Sequence, residues 1–167
     1  LWLPPLPSRP TTVVQLPASS APVRRPGLRA SRTAEITSPV EVAGLRVAPV
    51  GEILLSLCRD LGDLDALMAV DASLHLRLTS TQELHEVAAA RRRGAPRLRR
   101  LLQLADGSSE SPWETVLRVF HRAVGAPVTP QVEVFDGDGA FIARGDLRLD
   151  GTRVLHEYDG DRHLEVA

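Results

Sequence analysis

The residues of this chain best suited to chemistry crowd near its end, where Asp146, Glu157 and Asp159 bring three carboxylates into one short stretch. They belong to ARGDLRLDGTRVLHEYDGDRH, Ala143 to His163. Two apolar-alternating segments, Phe141 to Leu149 and Thr152 to Tyr158, flank the turn-forming pair Asp150-Gly151, which predicts a β-hairpin. Asp146 then sits on the incoming strand and Glu157 on the outgoing one. Side chains alternate across a strand, so Glu157 and Asp159 share a face, and a paired register brings Asp146 toward them. Three carboxylates on one patch repel unless a cation lies between them. A hard divalent ion is the usual solution, because Mg²⁺ takes carboxylate oxygens together with waters and phosphate oxygens. The plain alternative is turn chemistry: Asp136-Gly137-Asp138-Gly139, Asp150-Gly151 and Asp159-Gly160 all favour turns, and acids at strand ends are commonly just solvated.

The order Asp146, an apolar strand, Glu157-Tyr158-Asp159-Gly160 and then His163 resembles nuclease-like domains of unknown function related to the very-short-patch-repair endonucleases, within the PD-(D/E)xK superfamily. The resemblance implies an aspartate and a (D/E)-x-K element on adjacent strands that hold Mg²⁺ for phosphodiester hydrolysis in DNA. Asp146 and Glu157 would be metal ligands, Asp159 a third ligand or water-orienting base, and His163 a donor to a phosphate or leaving oxygen. Asp159 stands where the superfamily pattern has lysine. That departure matches the branch with an E-x-D-G pattern and a downstream histidine, and it leaves activation of the attacking water without an assigned residue.

Upstream of the hairpin, Ser111-Pro112-Trp113-Glu114 reads as a helix start, with Ser111 as N-cap, Pro112 at the first helical position and Glu114 completing a capping box. The nuclease resemblance adds a second role, since the corresponding helix there carries a glutamate that joins the active site. Val116, Leu117, Val119, Phe120 and Val124 are expected to form the buried face, with Arg118 and Arg122 on another. Gln131 to Phe135 alternates as a strand, so a helix followed by three antiparallel strands is expected, as at the opening of the nuclease core. Residues 107–167 would be the N-terminal part of such a domain, and Asp106 to Ser109 its boundary. The chain also starts without Met and ends just after the acidic motif, so it reads as a piece of something longer.

Composition bounds these readings. With 167 residues, 43% hydrophobic and 25% charged, the chain has a globular make-up and can bury one respectable core or two small ones. All 20 basic residues are arginine, so every cationic contact is a planar guanidinium fork. A net charge of −1 gives no global attraction to nucleic acid, and any DNA affinity must come from a local patch. The candidate patch is Arg91, Arg92, Arg93, Arg97, Arg99 and Arg100, which would contact a phosphate backbone. The alternative is a solvated helix end, where cations suit the dipole. No aromatic residue interleaves with these arginines, so stacking on a single strand has no support. The single Cys58 lies in an apolar run and is expected in the core. His75, His85, His121 and His156 show no zinc-site spacing. No stretch approaches the roughly 18 apolar residues a membrane span needs, and a cytoplasmic protein without a membrane partner is the expectation.

An α+β fold follows from the rest. Thr11 to Leu16 and Gly27 to Arg32 read as strands, and Val40 to Val47 as a hairpin around Ala43-Gly44, giving a small N-terminal sheet. From Pro49 the apolar period becomes helical: Ile53 to Leu61, then Leu64 to Leu76 after Gly62-Asp63, then a helix capped by Ser80 and Glu83 and stopped near Gly94, then Pro96 to Ala105. The succession EVAGLRVAPVGEILLSLCRDLGDLDALMAVDASL within residues 1–106 resembles the C-terminal half of AbiEi-type antitoxin proteins. Asp65 and Asp71 match acids common in that pattern, and capping or solvent exposure is the expectation for both. The two resemblances together imply a metal-dependent DNA endonuclease. The competing expectation is a non-catalytic antitoxin-type regulator, or an interaction module that binds DNA or a toxin-like protein partner.

Overall fold

The computed structural model describes residues 12–33 and 38–158. It has the expected α+β composition, with five helices and small sheets among the described residues. β1 (Thr12–Pro17) and β2 (Leu28–Thr33) pair in parallel. β3 (Val40–Val42) and β4 (Leu45–Val47) form a separate antiparallel hairpin, so the N-terminal strands make two ribbons instead of one sheet. Its turn places Ala43 at φ 49° and Gly44 at φ 76°. Two consecutive left-handed residues match the right-handed twist of the flanking strands.

The core is helical. α1 (Val50–Asp60), α2 (Asp63–His75), α3 (Thr81–Ala89) and α4 (Ala95–Leu102) bury Leu54, Leu55, Cys58, Leu67, Val70, Leu84, Leu98 and Leu101 against one another. Cys58 is a core residue as its sequence context predicts, and burial pushes its thiol above the ordinary value against the opposing pull of Arg97. α3 opens with a reciprocal capping box: the Glu83 amide donates to Ser80 Oγ, and the Ser80 amide donates to Glu83 Oε2. Glycine permits the closest packing. A Cβ on Gly94, at φ 95°, would lie 2.6 Å from the Leu55 carbonyl oxygen, so the turn into α4 can press on α1 only without a side chain there.

α5 (Pro112–Ala123) packs on α2 and on the sheet β5 (Val128–Phe135), β6 (Phe141–Leu149) and β7 (Leu155–His156), which is antiparallel in that order. Helix followed by three antiparallel strands is the expected order. The buried face of α5 is only partly the expected one: Val116, Leu117 and Val119 are half-buried, with Val119 packed against the core. Glu114, Thr115 and Arg118 are buried, while Trp113, Phe120 and Val124 are exposed. The cause is Asp71 on α2, which is fully buried: its Oδ2 accepts from Arg118 Nη2 at 2.5 Å and Thr115 Oγ1 at 2.8 Å, and its Oδ1 from the Asp106 amide at 2.8 Å. Asp71 is therefore neither a cap nor a solvated acid, and it ties the 106–109 stretch and α5 to the helical core. Among the described residues no helix is long and apolar enough to cross a membrane.

Candidate functional site

The hairpin that carries the acids closes by a longer turn than the Asp150-Gly151 pair suggests. The Leu149 amide donates to the Val154 carbonyl, leaving residues 150–153 as the loop, with Gly151 at φ 75°. β7 then pairs His156 with Leu147 and Leu155 with Arg148. One further step along that register sets Glu157 across from Asp146. Each carboxylate reaches the backbone of the facing segment: Asp146 Oδ2 accepts from the Tyr158 amide at 2.8 Å, and Glu157 Oε2 accepts from the Asp146 amide at 3.4 Å. No arginine pairs with either carboxylate among the described residues. Asp159 and His163 lie outside the described residues. Among the described residues no third acid, histidine or cysteine joins these two in a group that could hold a metal ion.

Glu114 reaches the same sheet by another route. Ser111 Oγ caps α5 by accepting from the Glu114 amide at 3.2 Å. The second half of the expected capping box goes elsewhere, because Glu114 Oε2 accepts from the Glu110 amide at 2.9 Å and from Gln131 Nε2 at 2.8 Å. Gln131 is a residue the sequence did not single out. The β5–β6 ladder pairs Pro130 with Leu147 and Val132 with Gly145, so Gln131 sits across from Asp146 with φ 51°. A left-handed backbone at a non-glycine residue in a strand is costly and persists where its surroundings demand it. Here it accompanies the amide's bond to the buried carboxylate. Glu114, Gln131, Asp146 and Glu157 therefore form a polar row from α5 across β5 and β6 to the end of β7.

Two histidines that look unrelated in sequence also meet. His156 Nδ1 and His121 Nε2 are 3.3 Å apart, and His121 Nδ1 lies 2.8 Å from the Leu117 carbonyl. A carbonyl only accepts, so His121 carries its proton on Nδ1 and offers Nε2 to the Nδ1–H of His156. Beside them Trp113 stacks on Tyr158 with ring centroids 5.7 Å apart. β7 is thus held to α5 by aromatic and imidazole contacts on either side of Glu157.

Most of the arginines proposed for DNA are engaged within the molecule. Arg92 makes a fork to the buried Glu52. Arg97 binds Asp63 and donates to the carbonyls of Cys58 and Leu61 at the end of α1. Arg99 donates to the Ala88 carbonyl near the end of α3, and Arg100 pairs with Asp63 at 3.0 Å. These bonds satisfy helix-terminal carbonyls and fix the angle between helices. Arg91 and Arg93 are exposed.

No protein-family model, curated protein or solved structure matches this chain.

Proposed function

We propose that the chain contributes the metal-binding edge of a Mg²⁺-dependent endonuclease acting on DNA. What supports this reading is the register that sets Asp146 across from Glu157, with no arginine paired to either among the described residues. Two neighbouring carboxylates without a cation form an oxygen donor set of the kind a hard divalent ion takes. Asp146 Oδ1 and Glu157 Oε1 are the oxygens outside the two backbone contacts just described. In this proposal both residues hold the ion, and Asp159 and His163, next in sequence, supply a third ligand and a phosphate-facing donor. When bound, Mg²⁺ would polarise a phosphodiester and lower the pKa of a coordinated water. Glu114 acts from behind, positioning β5 through Gln131 across from Asp146.

The test is Mg²⁺-dependent nicking of supercoiled DNA, compared with Asp146→Ala, together with Mn²⁺ binding read by electron paramagnetic resonance. Loss of both nicking and bound Mn²⁺ in the variant is expected. Equal nicking in both proteins would remove the assignment.

A second reading is a non-catalytic interaction module of the antitoxin type. It is favoured by the carboxylates' service to backbone amides at the end of β7, a structural task in itself, and by the exposed Trp113, Phe120 and Val124 on α5. Duplex DNA or protein binding that survives both EDTA and Glu157→Ala would select it.

A further inference from the structure

The parallel ribbon β1–β2, helix α1 and the α3–α4 turn line an open cavity of about 310 Å³, far in sequence from the acidic hairpin. Arg32, Arg59, Arg92 and Arg93 are among its lining residues, together with Ser56 and Gln15. A single carboxylate, Glu52, belongs to the lining, and Arg92 already holds it in a two-pronged pair. Arg59 donates only to hydroxyls, Ser56 Oγ at 2.7 Å and Ser31 Oγ at 3.3 Å, and Arg32 only to the Ala21 carbonyl at 3.2 Å, among the bonds of the described residues. Arg93 makes no hydrogen bond or ion pair among the described residues. Three arginines therefore border one concavity with no carboxylate partner among the described residues.

Like charges brought to one concave surface repel, and an anion between them relieves that repulsion. The arrangement is also a built one. The Arg92–Glu52 pair anchors the turn, and Gly94 allows that turn to touch α1 beside Arg59, whose Cγ would lie 3.3 Å from an added Cβ.

We propose that this cavity binds a phosphate group. A planar carboxylate uses one guanidinium fork, whereas a tetrahedral, doubly charged phosphate accepts donors from several directions at once, as Arg32, Arg59 and Arg93 offer them. Ser56 can turn its hydroxyl hydrogen to the same anion while its oxygen accepts from Arg59. The lining holds no aromatic ring, so a nucleobase has nothing to stack on and recognition ends at the phosphate. The group can come from a free polyphosphate or from a duplex backbone.

Titration calorimetry of the full chain with inorganic pyrophosphate, and separately with a short DNA duplex, tests this and separates the sources. Arg93→Ala removes no internal bond, and Arg59→Lys keeps the charge but loses the fork. Each is expected to weaken binding roughly tenfold, the size of one charge-assisted hydrogen bond. The exposed Arg91→Ala, outside the cavity, should leave pyrophosphate binding unchanged. Pyrophosphate binding that falls in both cavity variants assigns a free phosphate ligand. Duplex binding that falls in both, with no response to pyrophosphate, assigns the backbone. If neither probe binds, or if the cavity variants with unchanged circular dichroism bind both probes as the parent does, the proposal is overturned.

Discussion

At the scale of single residues, Asp71 and Arg118 carry the largest stake. Both side chains are fully buried, and Arg118 also donates to the Leu104 carbonyl at 2.5 Å. Removing one partner strands the other charge in the interior, so Asp71→Ala is expected to cost about 3–5 kcal/mol in urea unfolding. Replacing both by Leu and Met should recover much of that loss, because an apolar pair needs no desolvation of charge. Asp63 and Asp71, both on α2, should also titrate in opposite directions. Burial raises the carboxyl of Asp71 above its usual value against the pull of Arg118, whereas hydrogen bonding from Arg97 lowers that of exposed Asp63, with Arg100 assisting. The contribution of Asp63 is complete above its unfolded pKa and is lost as pH falls through its lower folded value. The contribution of Asp71 runs the other way: the folded state holds its proton more tightly, so stability falls as pH rises from its unfolded pKa through the higher folded one. Carboxyl carbon NMR across the acid range reads both midpoints, and a shift of the same sign at both residues would contradict the structure.

Elements are positioned by a few close approaches. Gly94→Ala forces a Cβ toward the Leu55 carbonyl at a left-handed φ, so a loss of about 2 kcal/mol or more is expected by denaturant unfolding. Gly125, at φ 74° with open space around it, is the comparison: Gly125→Ala has only the backbone preference to overcome and should cost about 1 kcal/mol. On α5 the apolar stripe predicts a buried Phe120 and Val124 that the structure leaves exposed. Phe120 is 64% exposed, so Phe120→Ser should change stability by less than about 0.5 kcal/mol, against the 3–5 typical of a core aromatic. A core-sized loss at Phe120 in thermal melts would restore the orientation that periodicity alone suggests. The exposed Trp113 stacks on Tyr158, which steadies the end of β7 next to Glu157.

For the whole molecule, what local sequence determines and what it leaves open divide along range of interaction. Helices α1 to α4, the Ser80–Glu83 box, the Ala43-Gly44 turn and the buried Cys58 are legible because apolar period, caps and turn residues act within one or two turns of chain. The α+β composition and the run of helix and three strands at the end follow from the same signals. The chemistry was only half legible. Asp146 and Glu157 could be read as strand partners, but the four-residue loop that sets them opposite one another is fixed by the Leu149–Val154 bond, and Gln131 emerges only from the folded ladder. Tertiary structure alone decided that α5 turns Arg118 inward, since the acid that draws it there is 47 residues away. It likewise turned most of the arginine cluster from a solvent-facing row into braces between helices, and it assembled the cationic cavity from residues on separate elements. A guanidinium or carboxylate is equally at home in water or in a buried pair, so its own neighbours in sequence hold no record of which one it takes. Only the partner that the fold delivers does.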